Sequence, residues 1–223
     1  MSSELKVNSI RDTSNNEALT ISSGNVSITN TLSAGTLGSS VVVPASIGGS
    51  HVFLEKYTAD DAVEKIFDLG THSETFNEYE FHFKNIGFNI DDRDFYMQLG
   101  TATNNIDSGS NYLQVRHYVH SAGGTPAESS SANDDIMFRI HDVRAVSGFG
   151  ICGVLRLFNP RNSSMKTFSK DEIVAFNTSQ YLHSYNGSGL HKTAQDDRAV
   201  KFYTQSSTQI AIGTITLYGV RDA

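Results

Sequence analysis

The stretch "NEYEFHFKNI", residues 77–86, decides the fold class of this chain. Aromatic and polar side chains alternate along it, with rings at Tyr79, Phe81 and Phe83 and polar groups at Glu80, His82 and Lys84. Alternation with a period of two is typical of a β-strand that has one face in a core and one face outside it. The polar face could be a catalytic row, a metal-binding row or the outer side of a sheet.

The composition of the 223 residues favours β-structure. Phe and Tyr number 13 and 9, no Trp occurs, and Gly, Ser, Thr and Asn fill much of the remaining chain. Aromatic and β-branched residues pack well on pleated surfaces, whereas Gly, Ser and Asn favour turns. We therefore predict an all-β protein, an antiparallel, jelly-roll-like β-sandwich with an extended N-terminal β-rich segment.

Apolar runs separated by turn signals predict the strands of the sandwich. They lie at residues 52–57, 63–69, 79–88, 95–101, 112–120, 136–143, 150–158, 172–182, 199–203 and 210–220. Residues 58–70, "TADDAVEKIFDLG", fit a helix or a strand, and the strand is favoured. Three polar stretches rich in Gly and Ser are predicted to be long loops, at residues 103–111, 121–135 and 183–197.

The first residues of the chain differ from the rest, because residues 1–50 contain no aromatic side chain. They form short alternating pieces, "ALTIS", "NVSIT" and "TLSAGTL", which bury too little apolar surface to fold alone. We expect these pieces to become ordered by winding around copies of themselves, and a disordered leader is the alternative. With Pro44 and Gly48 marking a junction, residues 1–47 are predicted to be an attachment or trimeric shaft segment and residues 48–223 a β-sandwich body.

Charge and hydropathy exclude several classes of protein. The formal net charge is -7, and no stripe of Lys and Arg offsets it, so binding to nucleic acid is not expected. The N-terminus has no apolar signal region, and no run of 18 apolar residues occurs, so synthesis in the cytoplasm without membrane insertion is expected. The single cysteine, Cys152, lies in the apolar run "GFGICGVLRLF", is predicted to be buried, and cannot form an intrachain disulfide.

The sequence contains no pattern specific for a metal or a catalytic centre. On a strand, His117 and His120 point to opposite faces and cannot bind one ion, and "NIDDRDF" lacks the spacing of an EF-hand, although calcium binding by a loop stays open. The glycines of "GFGICG" match a phosphate-binding pattern but lead into the strand-like "VLRLF", so they are interpreted as easing a strand bend. No Gly-x-Ser-x-Gly elbow occurs. We predict no cofactor, no metal and no catalytic residue.

Without partners for a catalytic row, the opening stretch is interpreted structurally. Tyr79, Phe81 and Phe83 are predicted to face the core of the sandwich. Glu80 and His82, with Lys84, are predicted to form a surface that faces solvent or a neighbouring subunit.

Several of these motifs together resemble a known class of protein. The segments "FNEYEFHFKNI", "DFYMQLGT", "SGSNY", "GVLRLFNP" and "GTITLYGV" resemble, in this order, the β-rich body of virion structural proteins of tailed bacteriophages, of the tail-fibre or receptor-binding type. Residues 5–35 resemble the leader that attaches such fibres or begins their trimeric shaft. The resemblance covers most of the chain, "LRLFNP" and "GTITLYGV" are its most specific parts, and no catalytic residue belongs to these motifs.

The resemblance implies a non-enzymatic homotrimer on the virion surface, with the N-terminal segment bound to other virion proteins and the sandwich directed outward to the host surface. Two alternatives stay open: a capsid decoration or head-fibre protein that binds neighbouring capsid subunits, and a hydrolase of host-envelope glycans, which would need a pair of carboxylates. If the body binds a host glycan, the candidate residues beside the long loops are Tyr112, Tyr181, Tyr185 and Asn186, each of which also fits a core or turn position.

Overall fold

A computed structural model of the chain describes residues 9–11, 17–22, 25–28, 50–123, 127–143, 150–177, 179 and 181–221. The chain divides into two compact units, Met1–Val43 and Pro44–Ala223. The predicted junction between residues 47 and 48 lies outside the described residues, so that boundary stays a prediction. Within the described residues, no helix is long and apolar enough to cross a membrane.

The first unit contains a small antiparallel sheet of three strands. These are β1 (Ser9–Arg11), β2 (Glu17–Ser22) and β3 (Asn25–Ile28), with β2 in the middle. The predicted piece "ALTIS" and the residues "NVSI" of the next piece therefore lie on neighbouring strands. The third piece, residues 31–37, lies outside the described part of the chain.

The second unit, called the body, is built from strands β4 to β16. Their bounds are β4 His51–Thr58, β5 Glu64–Asp68, β6 Glu78–Phe88, β7 Arg93–Ala102, β8 Asn105–Ile106, β9 Tyr112–His120, β10 Ala127–Asp134, β11 Phe138–Val143, β12 Ile151–Phe158, β13 Lys166–Phe176, β14 Leu182–Ala194, β15 Ala199–Thr204 and β16 Ile210–Val220. Single 3-10 turns occur at Leu69–Thr71 and Gln205–Ser207.

The strands of the body form two antiparallel sheets. The large sheet has eight strands in the order β10-β9-β14-β13-β12-β6-β16-β4, and the small sheet has the order β11-β7-β15-β5 with β8 paired to β7. The two sheets pack face to face as a sandwich, which confirms the predicted all-β, antiparallel fold class. Side chains of the large sheet that point away from the small sheet form what we call the outer face.

Aromatic rings from both sheets fill the space between them. The rings of Phe81 and Phe83 on β6 lie 5.0 and 5.4 Å from that of Phe202 on β15, which in turn stacks on Phe95 of β7 at 5.6 Å. All four rings are at most 4% exposed. Each fully buried ring contributes about 1.5–3 kcal/mol. Together with the buried Tyr79, these contacts confirm that the aromatic face of the opening stretch belongs to the core.

Most predicted strands are confirmed, two of them to the residue. The predicted bounds match β9 and β16, and the ambiguous residues 58–70 contain β5 instead of a helix. The predicted bend in "GFGICG" is confirmed at Gly153, whose φ is 143° beside a register shift between β12 and β6, whereas Gly148 lies outside the described residues.

The prediction of three long loops was wrong for much of their length. Residues 183–197 contain most of β14, residues 121–135 contain β10, and residues 103–111 contain the short β8. The predicted strand at 172–182 instead begins at Lys166 and ends at Phe176. Ser, Gly and Asn masked the alternation of β14, whose inward positions hold histidine, tyrosine and glycine in place of aliphatic residues.

The large sheet has two distinct ends. The chain enters the body at β4, and we call this end of the large sheet the near end. Here His51 of β4 pairs with Val220 of β16, and Val220 in turn pairs with Glu78 of β6. At the other end, the far end, His120 at the end of β9 pairs with His183 at the start of β14.

Candidate functional site

The four residues proposed from the sequence do not form one site. Tyr112 lies at the near end of β9, about 25 Å along the strand from His120 at the far end. It is fully buried, and its hydroxyl accepts a hydrogen bond from the Leu99 amide at 3.0 Å and lies 2.9 Å from the carbonyl oxygen of Asp107. Tyr112 is therefore a core residue, and we do not retain it as a ligand-binding candidate.

Asn186 points to the outer face, opposite to its neighbour Tyr185. It lines a shallow groove of about 480 Å³ together with Glu172, Val174 and Ser184. Its Oδ1 accepts a hydrogen bond from Lys170 Nζ. Cys152, predicted to be buried, is half-buried and also lines this groove, because it occupies an outer position of β12.

Tyr181 and Tyr185 belong to one column of stacked rings at the far end of the sandwich. The rings follow one another in the order Tyr181, His120, His183, Tyr118 and Tyr185, with centroid separations of 5.9, 5.5, 5.8 and 5.4 Å. The planes of successive rings differ by at most 29°. We call these five residues the ring column.

Strand pairing explains why these rings meet. Tyr118 and His120 are alternate residues of β9, and Tyr185 and His183 are their direct partners on β14. Directly opposed residues in an antiparallel pair have Cβ atoms about 4.5–5.5 Å apart, which is close enough for their rings to touch. Tyr181 lies just before β14, and a pair of hydrogen bonds fixes its backbone to Asn177: the Tyr181 amide donates to Oδ1 at 2.9 Å and the Asn177 amide donates to the Tyr181 carbonyl at 3.1 Å.

The inner half of the ring column is tied together by the Tyr185 hydroxyl. This hydroxyl lies 2.9 Å from Nδ1 of His183 and 3.3 Å from the carbonyl oxygen of His141. It can donate its one proton to either atom, so Nδ1 of His183 is the acceptor in one tautomer and the donor in the other. Burial, with the neighbouring His120 and His141, lowers the pKa of His183, so its imidazole is neutral at pH 7.

The exposed fraction is highest at Tyr181, which forms the open outer end of the ring column. Tyr181 is 40% exposed, whereas His183 and Tyr185 are 7% and 2% exposed. One face of the Tyr181 ring rests on His120, so its other face is the terminal surface of the column. A flat aromatic face of this kind, backed by rings that hold it in place, can stack on the C–H groups of a ligand.

The polar face of the opening stretch surrounds Glu80. Although it points to the outer face, Glu80 is only 5% exposed. His51 and His82 each place Nε2 near its Oε2, at 2.9 and 2.8 Å, and Arg156 Nε donates to its Oε1 at 2.8 Å. The predicted surface that faces solvent or a subunit must therefore be corrected for Glu80, because three donors from β4, β6 and β12 cover its carboxylate.

The same contacts determine the chemistry of Glu80. Burial alone would raise its pKa, but hydrogen bonds from His82, Arg156 and His51 outweigh burial and lower the pKa below its usual value. Glu80 is thus ionised at neutral pH, and both of its oxygens accept hydrogen bonds from the protein. Through these contacts Glu80 ties β4, β6 and β12 together.

A second polar cluster lies at the near end around His191. This imidazole is fully buried, and it lies between Asp197 (Nδ1 to Oδ2, 2.9 Å) and Asp107 (Nε2 to Oδ2, 3.1 Å). The hydroxyl of Thr167 donates to Asp197 at 2.6 Å. Both nitrogens of His191 therefore contact carboxylates, and neither is available to activate a hydroxyl nucleophile.

Within the described residues, no group of three or more His, Cys, Asp or Glu side chains is arranged to hold a metal ion. Comparison of the chain with protein-family models, with curated proteins and with solved structures found no match. A proposal about function therefore depends on the side chains themselves.

Sequence reasoning missed Tyr118, His120 and His183 as members of the ring column. The alternation in "YLQVRHYVH" already places Tyr118 and His120 on the same face of β9. The polar composition of residues 183–197 predicts a loop, however, so the sequence does not reveal the partner strand that brings His183 and Tyr185 beside them.

Proposed function

We propose that this chain is a non-enzymatic structural protein of a tailed-phage virion, of the tail-fibre or receptor-binding type. It forms a homotrimer, binds other virion proteins through its N-terminal segment and contacts a saccharide of the host surface through the ring column. The observation that carries the proposal is the open face of Tyr181 at the outer end of five stacked rings.

The location of the ring column supports this role. The column lies at the far end of the body, whereas the chain enters at the near end through His51. The first strand of the body therefore begins at the end opposite to the ring column. The antiparallel pairing of β9 with β14 supplies a rigid base for the rings.

The chemistry of the column favours a saccharide. A sugar ring presents a face of C–H groups, which stacks on an aromatic face, and hydroxyl groups at its rim, which need polar partners. The side chains of Ser121 and Asn177 lie beside Tyr181, where they accept hydrogen bonds from the amides of Leu182 and Tyr181. An aromatic face with hydroxyl and amide groups next to it suits such a ligand.

Binding of host-surface polysaccharide to the purified full chain tests the proposal. We expect wild-type protein to bind saccharides on a glycan array and to adsorb to host cells. The Tyr181→Ala variant should lose at least tenfold in affinity, because it removes the open stacking face. Met165→Ala is the control, since Met165 is similarly exposed at 47% but lies in the connection between β12 and β13.

Three outcomes separate the proposal from its competitors. Absence of binding by wild-type protein, together with decoration of capsids, would replace the receptor role with capsid decoration. Release of shortened polysaccharide chains would make the protein a glycan hydrolase. Equal binding by wild type and Tyr181→Ala would remove the ring column from the binding site.

A further inference from the structure

Exposed apolar side chains of the body concentrate on the outer face of the large sheet. Ten large apolar side chains of the described residues are exposed, and six of them point from this face. They are Phe53, Val115, Val119, Phe168, Val174 and Leu182, at 42–63% exposure. An apolar surface that extends over several strands indicates a contact with another macromolecule.

The outer face also differs from the rest of the chain in charge. Strand alternation puts six bases on it or at its margin: Lys56, Lys84, Arg156, Lys166, Lys170 and Lys192. The acids on the strands of this face are Glu78, Glu80, Glu172 and, by its register with His117, Glu128, so six bases and four acids give a formal charge of +2. The whole chain carries -7. An acidic surface would therefore complement this face.

The body has such an acidic surface at the far end, beside the start of β16. Two connections meet there, one between β4 and β5 and one between β6 and β7. They expose four aspartates, Asp60, Asp61, Asp91 and Asp92, together with two apolar side chains, Val63 at 41% and Ile90 at 48% exposure. We call these six residues the acidic tip.

Hydrogen bonds to β16 and to the residue before it hold the two connections together. The Asp61 amide donates to the carbonyl of Ile210 at 3.2 Å, and the Asn89 amide donates to the carbonyl of Gln209 at 3.2 Å. The four aspartates of the acidic tip and the adjacent Arg93 sum to a formal charge of -3. The acidic tip thus combines apolar groups with the charge opposite to that of the outer face.

We propose that the outer face of the large sheet binds the acidic tip of a second copy of this chain. This inference rests on the proposed homotrimer and names the surfaces that form it. A contact between two different patches is heterologous, and such contacts close into a ring when the rotation between copies permits. In a ring of three copies, the outer face of each subunit binds the acidic tip of the next subunit, so every face and every tip has a partner.

Charge exchange on the full chain tests this pairing. Lys84→Glu with Lys170→Glu reverses the charge of the face. Asp91→Lys with Asp61→Asn and Asp92→Asn reverses the charge of the tip; Asn is chosen because residues 61 and 92 have positive φ angles of 63° and 60° that Asn tolerates. Each set of substitutions should raise the dissociation constant of the trimer at least tenfold in sedimentation equilibrium. All five substitutions together should restore most of the affinity, because the face then carries a net negative charge and the tip, with Arg93, a net positive one. Ser163→Glu with Ser164→Glu, at exposed positions of the connection between β12 and β13, is the control.

The outcomes distinguish this inference from the proposed function. A trimer that tolerates both charge changes overturns the pairing and leaves the homotrimer in place. A wild-type chain that is monomeric at all concentrations overturns both, and the outer face then belongs to a different acidic partner.

Cross-linking identifies the two patches even if the N-terminal segment alone keeps the chains together. In a Cys152→Ser background, Val115→Cys marks the face and Val63→Cys marks the tip, at side chains that are 63% and 41% exposed. A short bismaleimide should link chains into covalent trimers only when both cysteines are present. Links formed by Val115→Cys alone would show two outer faces packed together, and that result would overturn the proposal, as would the absence of any link.

Discussion

Among single residues, His191 shows how the charge of a buried side chain affects the stability of the fold. Burial alone would lower its pKa, but hydrogen bonds and charge interactions with Asp197 and Asp107 outweigh burial and raise the pKa above the usual value. The ring of Tyr112 stacks on the imidazole at 4.8 Å, and the hydroxyl of Thr167 satisfies Asp197. The protonated imidazole therefore joins β14 to the connections that contain Asp107 and Asp197.

This arrangement predicts a pH dependence of stability. Because the folded pKa of His191 is raised, its contribution is complete below the unfolded pKa of about 6.5 and is lost as the pH rises through the folded pKa. His191→Gln should lower the free energy of unfolding by about 3–5 kcal/mol below pH 6.5, since it leaves two carboxylates without their cation. Urea denaturation from pH 5 to pH 9 measures both effects.

His117→Gln is the matched control, because His117 is exposed on the outer face of the neighbouring strand β9. It should change the free energy of unfolding by no more than about 0.5 kcal/mol. If wild type and His191→Gln show the same fall in stability above pH 6.5, the charge assigned to His191 is wrong.

Among the strands, β14 shows how glycine can be required by packing. Under it, Arg116 of β9 and Asp171 of β13 form an ion pair at 3.1 Å, and both side chains are 1% exposed. A Cβ atom on Gly187 would lie 2.4 Å from Oδ2 of Asp171 and 2.8 Å from Nε of Arg116. Glycine at this inward position therefore leaves the space that the ion pair occupies.

Replacing this glycine should consequently damage the sheet. Gly187→Ala should lower the free energy of unfolding by about 1–3 kcal/mol, because the added methyl group forces the buried pair apart. Ser188→Ala, at the next position and on the exposed side of β14, should stay within about 0.5 kcal/mol of wild type. Equal urea midpoints for the two variants would contradict this account of Gly187.

For the whole molecule, the prediction concerns the segment that precedes the body. Deleting residues 1–47 should weaken trimerisation or abolish attachment to virions. The remaining body should keep its fold, because its core consists of contacts within Pro44–Ala223. Light scattering on the truncated chain, with electron microscopy of virions assembled from it, measures both properties. An unchanged oligomer that still decorates virions would refute the assigned role of this segment.

Much of the body follows from local patterns. Alternation in "NEYEFHFKNI" was enough to predict a strand with Tyr79, Phe81 and Phe83 in the core, and the apolar run at residues 150–158 likewise predicted the strand β12. These predictions succeeded because large apolar side chains mark the buried face directly.

The candidate sites could not be predicted as completely, since they depend on neighbours that are distant in sequence. Strand alternation predicts that Glu80 is exposed on the polar face of β6, yet Arg156, 76 residues later in the chain, covers its carboxylate. The sequence marks Tyr181 and Tyr185 as ligand candidates, but their stacking on Tyr118 and His120 depends on the register between β9 and β14. A register is decided by the pairing of two strands, and neither strand carries that information alone.

The sequence by itself determined the all-β class, the antiparallel sandwich and the aromatic core, because period-two alternation is a local property of each strand. Only the tertiary structure decided that a polar, glycine-rich stretch is the strand β14, that five rings form a column at the far end, and that a basic outer face coexists with an acidic tip. The physical reason is that charge, burial and stacking depend on which strands become neighbours, and this arrangement emerges only when the two sheets close around their core.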